Sequence, residues 1–446
     1  MTTADVETLI LGGGIAGLAA ALPLGDAAVV LERNARAGGL VRTECFGGYW
    51  FDHVLHLLHV PDAATEARFR SLVGDDLARC PPEAWVETSA GTTRFPFQMN
   101  LHGLDAEVVV RCLRDLARVT FEGPRPAPRN FHDVLLSTFG REMCELFLFP
   151  YNRKVYRRPL EELAPAGFQW TITPPDFEKV LRGALGMTRG HNAYNANGWY
   201  PRPPRGAAVR GMELLTRALA KHTHDLKLEH AVQSIDVKRR IVVARNGALR
   251  SFRYRRACST LPLPLTVALC DEAPPDLKRV CASLPFNRVI TVAFCMEGPR
   301  PIGQGHWRYY ADESVIFNRL IFSHEFDPLN APDDGWGVMA EITLPGSEPM
   351  PATRDVIART QHDMERVGAL HGGRVADAQI ILAEPAYVLF TEESRQITKA
   401  AMAFLRAHDI EPMGRYGRWE YSSMAQVISD AMRWGESQEA ARDVAS

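Results

Sequence analysis

The stretch from Leu9 to Glu32 restricts the fold more than any other part of this chain. Leu9-Ile10-Leu11 is a short apolar run, and Gly12-Gly13-Gly14-Ile15-Ala16-Gly17 is a G-x-G-x-x-G turn. Val29-Val30-Leu31 is a second apolar run, closed by Glu32. A strand, a glycine turn, a helix and a second strand ended by an acid, roughly 20 residues after the first glycine, make a dinucleotide-binding unit. Gly12 permits the tight turn, Gly14 lets the backbone approach a pyrophosphate, and Gly17 lets the helix close onto the strand. Ile15 and Ala16 open the helix, whose free N–H groups and positive dipole end suit phosphates. Glu32 is placed to accept hydrogen bonds from ribose hydroxyls.

After Glu32 the chain reads Arg33-Asn34-Ala35-Arg36-Ala37-Gly38-Gly39-Leu40-Val41-Arg42-Thr43. This resembles the E-R-x-x-x-x-G-G-x-x-x-T stretch of FAD oxidoreductases of the amine-oxidase-like group. The resemblance implies FAD rather than NAD. It adds Arg33, Gly39 and Leu40 to the cofactor-binding set of Gly12, Gly14, Ile15, Ala16, Gly17 and Glu32. Glycine freedom at Gly38-Gly39 lets a loop pass close to the diphosphate.

With 446 residues and 46% apolar content, the chain can bury a large core spread over two or three domains. A formal net charge of -2 argues against a nucleic-acid binder, which carries a basic excess. Eight cysteines are scattered without a C-x-x-C pair and read as reduced core thiols of a cytosolic protein. Fourteen histidines show no H-E-x-x-H spacing, so no metal site is expected. No basic segment followed by an apolar run opens the sequence, and no window approaches the ~18 apolar residues of a membrane span. The expectation is a soluble, cytoplasmic protein.

Proline clusters at Pro124–Pro128, Pro201–Pro204, Pro274-Pro275 and Pro299–Pro301 mark breaks. Asp105 to Val119 and Phe131 to Phe149 carry helical periodicity, and Asn246-Gly247 between two alternating stretches signals a hairpin. β-like runs cover Val289 to Phe294 and Gly337 to Leu344. Helices are expected over Thr353 to Leu370, over Gln396 to His408, and from Met424 onward. The fold class is α/β. A Rossmann-type FAD-binding domain would come from residues 1–80, 205–268 and 384–446. A mainly helical insertion with an initial strand would span 81–204, and an antiparallel β-sheet substrate domain 269–383.

Four further stretches resemble UDP-galactopyranose mutase and its near relatives. Gly414-Arg415-Tyr416-Gly417-Arg418-Trp419-Glu420-Tyr421-Ser422-Ser423-Met424-Ala425-Gln426-Val427-Ile428 is similar to that family's C-terminal G-R-x-x-x-x-x-Y-x-x-M-x-Q-V-I pattern. Pro150 to Leu163 resembles the segment that ends the helical insertion, Arg94 to Asn100 the L-P-F-x-M-N strand, and Phe51-Asp52 through His56 and His59 the G-x-H-x-x-H loop beside the isoalloxazine. The resemblance implies an unusual reaction. N5 of reduced FAD attacks the anomeric carbon of a nucleotide sugar, the nucleoside diphosphate leaves, and the sugar recloses in the other ring size. A leaving diphosphate with about two negative charges calls for arginines and hydroxyls. By resemblance, His56, Arg319 and Arg415 are catalytic, and Arg415, Met424 and His56 also touch FAD. Tyr156, Arg319, Tyr387 and Tyr421 bind substrate. Arg319 also stands in an apolar run, where a charge is costly unless paired.

The departures fall on the substrate side. Val54-Leu55 replace the family's small residues, Tyr156 its tryptophan, and Ser423 an acid. The second diphosphate arginine has only Arg182, Arg189 and Arg205 as candidates. A redox flavoenzyme of amine-oxidase or desaturase type is the alternative, and a non-catalytic FAD-binding protein a third reading. The partners implied are a small-molecule substrate, an external reductant and a second copy in a homodimer.

Overall fold

The computed structural model describes residues 3–55, 57–60, 62–123, 126–166, 174–187 and 197–443. Its first sheet places the strands in the order Asp225–Lys227, Ala28–Leu31, Thr3–Leu11 and Ala248–Ser259. These neighbours run parallel, and Ile410–Pro412 joins parallel to the end of Ala248–Ser259. Leu9, Ile10 and Leu11 are fully buried, as a parallel strand covered on both faces requires. The other end of Ala248–Ser259 folds back on Ile241–Asn246 through Gly247, which takes a positive φ of 60°. One sheet therefore takes strands from both ends and the middle of the chain. We keep the five-segment division, with limits at 80, 204, 268 and 383, as a proposal.

The second sheet runs Arg374–Val388, Phe286–Glu297, Gly335–Pro345, Arg319–Phe322, Trp307–Tyr310, Ala84–Thr88 and Gly91–Arg94. Side-chain alternation splits its two faces. Ile290, Val292, Leu320, Val338 and Ala340 pack with Val356 and Met364 of the helix Thr353–Arg366. Arg319, Ile321, Met339, Glu341 and Thr291 point the other way, toward the loops of the N-terminal segment. The strands at 84–94 pair with this sheet, and Ala84–Thr88 runs parallel to Trp307–Tyr310.

The helical region differs from expectation. Rather than one helix over Phe131 to Phe149, helices cover Phe131–Phe139 and Arg141–Met143, a π turn covers Cys144–Leu148, and a further helix covers Phe149–Tyr156. Gly140 breaks the first helix with a φ of 79°, and a Cβ there would lie 2.9 Å from the Asp115 backbone. A contact so close fixes the break by helix packing. The C-terminal helix Met424–Asp443 lies against the first helix, Ile15–Ala21, where Gly435 lets the two backbones approach.

Candidate active site

The glycine turn forms as its sequence requires. Gly12 takes a φ of 102°, and its N–H donates to the Leu31 carbonyl at 2.9 Å. A Cβ on Gly17 would stand 2.0 Å from the Gly12 carbonyl oxygen, so this position admits glycine alone without a backbone shift. Glu32 is buried, with Oε2 accepting the Gly13 N–H at 2.9 Å and Oε1 accepting the Asn34 N–H at 2.8 Å. The second glycine pair lies on the first. The Gly38 N–H donates to the Gly13 carbonyl at 2.8 Å, and a Cβ on Gly39 would come within 3.2 Å of Gly14 Cα. Two strips of backbone bare of side chains thus lie side by side, Gly14 against Gly39 and bridged to Gly38. That cradle fits a diphosphate, and Glu32, whose Oε1 also accepts the Asn34 side-chain amide at 2.6 Å, keeps acceptor capacity on Oε2 for a ribose hydroxyl. Ile15 and Ala16 open the helix behind it. Gly414 packs so close that a Cβ would meet Ala16 Cβ at 2.7 Å. Arg33 is exposed, and Leu40 and Met424 are half-buried. His56 and Arg189 lie outside the described residues.

The remaining candidates converge on the inward face of the second sheet. Arg319, 13% exposed, meets Glu341, which is 1% exposed on the neighbouring strand. Its Nε donates to Glu341 Oε2 at 2.8 Å, and Nη2 donates to the same oxygen. Burial opposes the charge on Arg319, yet Glu341 holds its pKa above the ordinary range. The arginine assigned to a diphosphate therefore already has a carboxylate partner. Its guanidinium also lies 5.8 Å from the Tyr309 ring, and Tyr151 stands perpendicular to Tyr309 at 5.2 Å.

Arg415 is arranged differently. Its guanidinium lies 4.6 Å over the Tyr421 ring, and Nη2 donates to the Ala386 carbonyl at 3.2 Å. Its Nε is buried without a hydrogen-bond acceptor, and among the described residues no carboxylate is within ion-pair reach. Tyr387 follows Ala386 and lies 6.4 Å from Tyr421 ring to ring. Burial, then the Glu341 charge, pushes the Tyr387 hydroxyl up to about 12, and burial raises Tyr421 as well. Tyr156 is buried edge-on to Phe131, within electrostatic reach of Tyr421, Tyr387 and Arg415. Asn287 ties it to the sheet by donating to the carbonyls of Val155 and Tyr156 at 3.1 and 2.8 Å.

Other candidates stand apart. Arg182 pairs with Glu178 on an exposed helix face and Arg205 with exposed Asp333, so neither joins the tyrosine cluster. Ser423 caps the C-terminal helix by accepting the Gln426 N–H at 3.2 Å. His59 sits in the short strand Leu58–His59, where burial lowers its pKa. Sequence reading missed Glu341, Tyr151 and Tyr309. The signal for Glu341 was the one used for Arg319, a charge inside an apolar run, but only strand register puts the two side by side.

The described residues thus form a glycine turn bare of side chains and a cluster of tyrosines that holds Arg319 and Arg415. The model of the flavin containing amine oxidoreductases matches residues 15–319, and the chain belongs to that family. It is a flavin-dependent enzyme of that superfamily, and the family implies FAD in the cradle. The structure is similar to that of reduced UDP-galactopyranose mutase, with a TM-score of 0.87 and 19% identity over 97% of this chain and 95% of that one. It is also similar to a proposed protoporphyrinogen oxidase from Exiguobacterium sp. 255-15, with a TM-score of 0.72 and 16% identity over 99% of each chain. A putrescine oxidase bound to putrescine matches with a TM-score of 0.64 and 15% identity over 100% of both chains. At such identities the likeness shows the fold, which is the α/β class expected. Among the described residues no helix is long and apolar enough to cross a membrane.

Proposed function

We propose that this enzyme interconverts pyranose and furanose forms of a nucleotide sugar, as a UDP-galactopyranose mutase-like flavoprotein kept reduced by an external reductant. The observation that carries this reading is Arg415, a guanidinium on the face of Tyr421 with no carboxylate partner among the described residues. A half-buried cation in such surroundings is stabilised when an anion completes it. Reduced FAD, when bound, supplies a nucleophilic nitrogen for the anomeric carbon.

The chain's own residues supply position and charge. Arg415 faces the negative charge that grows on a departing diphosphate. The Tyr387 hydroxyl, pushed up to about 12 by burial and the nearby Glu341, stays protonated at neutral pH and donates to a phosphate oxygen. Tyr421 holds the arginine in place, and Tyr156 walls the sugar side. Arg319, neutralised by Glu341, contributes directed N–H groups rather than net charge. That neutral pair, together with the apolar Val54-Leu55, also favours a second reading, an oxidoreductase acting on a less charged small molecule.

Incubation of the FAD-loaded protein with UDP-galactopyranose, with and without dithionite, separates the readings. Furanose product formed only under reduction supports the mutase. Flavin reduction by an amine or other hydride donor, with no response to UDP, overturns it in favour of the oxidoreductase.

A further inference from the structure

Glu341 has a second contact that its pairing with Arg319 does not require. While Oε2 takes the guanidinium, Oε1 accepts the backbone N–H of Leu55 at 3.1 Å. Leu55 lies in the stretch that leaves the strand Tyr49–Asp52 and leads toward position 56. Just before it, His53 is fixed from several sides. Its N–H donates to the Arg42 carbonyl at 3.0 Å, Nε2 lies 2.7 Å from Glu44 Oε1, and its carbonyl accepts the Thr291 hydroxyl at 3.2 Å.

Leu55 has one hydrogen bond among the described residues, that to Glu341. It packs against the apolar core and borders a small cavity of about 10 Å³, shared with Asp52, Val54, Ile321, Ser323 and Met339, where the Ser323 hydroxyl is buried without a partner among the described residues. Apolar packing does not by itself direct the Leu55 N–H, and a hydrogen bond to a carboxylate does. The same loop touches the cofactor side. Val54 packs against the cluster of Val289, Ala383 and Ala386, as do Leu40, the residue after Gly39, and Tyr387. Glu341 thus stands between an arginine of the sheet and a loop that hydrogen-bonds Arg42, three residues after Gly39.

We propose that Glu341 is a positioning residue whose two oxygens tie the Arg319 guanidinium to the backbone of the 53–55 loop, and so set the wall of the flavin site. This rests on flavin binding and does not require a nucleotide-sugar substrate. The two oxygens act separately, so the two ties can be cut separately. Leu55→Pro removes the N–H and leaves the ion pair. Glu341→Gln keeps an acceptor for Leu55 and weakens the ion pair, and Glu341→Ala removes both.

The test uses FAD-loaded protein without substrate, read by visible circular dichroism and by the flavin's reduction midpoint. L55P and E341A are expected to change both signals while FAD affinity stays within about threefold of wild type, and E341Q to change them less. Should L55P fail to fold, the contrast between E341A and E341Q carries the same comparison. Unchanged dichroism and midpoint in E341A and L55P, with only a loss of thermal stability, would overturn the proposal and leave Glu341 as the counter-ion of Arg319. Titration with UDP is a separate arm. A wild type that ignores UDP counts against the nucleotide-sugar reading and leaves this one standing.

Discussion

Arg415 rests on Tyr421 at 4.6 Å, with one nitrogen on the Ala386 carbonyl and another buried without an acceptor. Replacing it with alanine removes a charge-assisted contact to any anion bound there, worth about 3 kcal/mol or roughly a hundredfold in kcat/KM. Arg415→Lys is expected to recover only part of this, because an ammonium cannot make a planar forked contact. Steady-state kinetics, with UDP binding as a second readout, check both. Asp52 offers a pH test. It accepts hydrogen bonds from the Thr43 hydroxyl at 2.6 Å, the Tyr200 hydroxyl at 2.8 Å and the Met212 N–H at 3.0 Å. Burial nevertheless pushes it up from 3.8 to about 6. The folded state therefore binds the proton more tightly than the unfolded chain. Stability from this group is present below pH ~4 and is lost as the pH rises to ~6, a change of about 3 kcal/mol. Urea unfolding across that window should show the wild type losing stability relative to Asp52→Asn, and parallel curves would refute the assignment.

The helix Phe149–Tyr156 carries Tyr151 and Tyr156 to the tyrosine cluster, and Lys154 between them anchors it. Its Nζ donates to the carbonyls of Tyr310, Asp312 and Phe317 at 3.0, 2.7 and 2.6 Å. Burial pulls the Lys154 ammonium down to about 8, and the three carbonyls use all three of its N–H groups. Lys154→Met leaves those acceptors without their donor and is expected to cost about 3 kcal/mol of unfolding free energy. A thermal melt at neutral pH measures the loss, and an unchanged melting temperature would show that water replaces the ammonium at no cost. The break before this helix is an element-level lesson. Apolar periodicity runs through Phe131 to Phe149 without interruption, but Gly140 is held against Asp115 of another helix, and no local pattern announces that contact.

At the scale of the whole molecule, a sheet made of strands from residues 3–31, 225–259 and 410–412 joins the two ends and the middle of the chain in one core. A ligand seated on its glycine turn stabilises all three segments together. Free FAD at roughly 100 times its Kd should raise the unfolding free energy by about 2.7 kcal/mol. Calorimetry that shows one shifted transition supports this, whereas a shift in only part of the melt would mean that the second sheet unfolds separately. The sequence by itself determined the glycine turn, because glycine is the residue that fits where a Cβ would strike backbone at 2.0 Å, and that demand is local. It also determined the hairpin at Asn246-Gly247, where glycine takes a positive φ of 60°, and the parallel strands, whose unbroken apolar runs suit a strand covered on both faces. Tertiary structure alone decided that Arg319 faces Glu341, that Arg182 and Arg205 stay on the surface, and that Leu55 hangs from a carboxylate 286 residues away. Those pairings depend on strand register and sheet order, which join residues distant in sequence and leave no periodic trace along it.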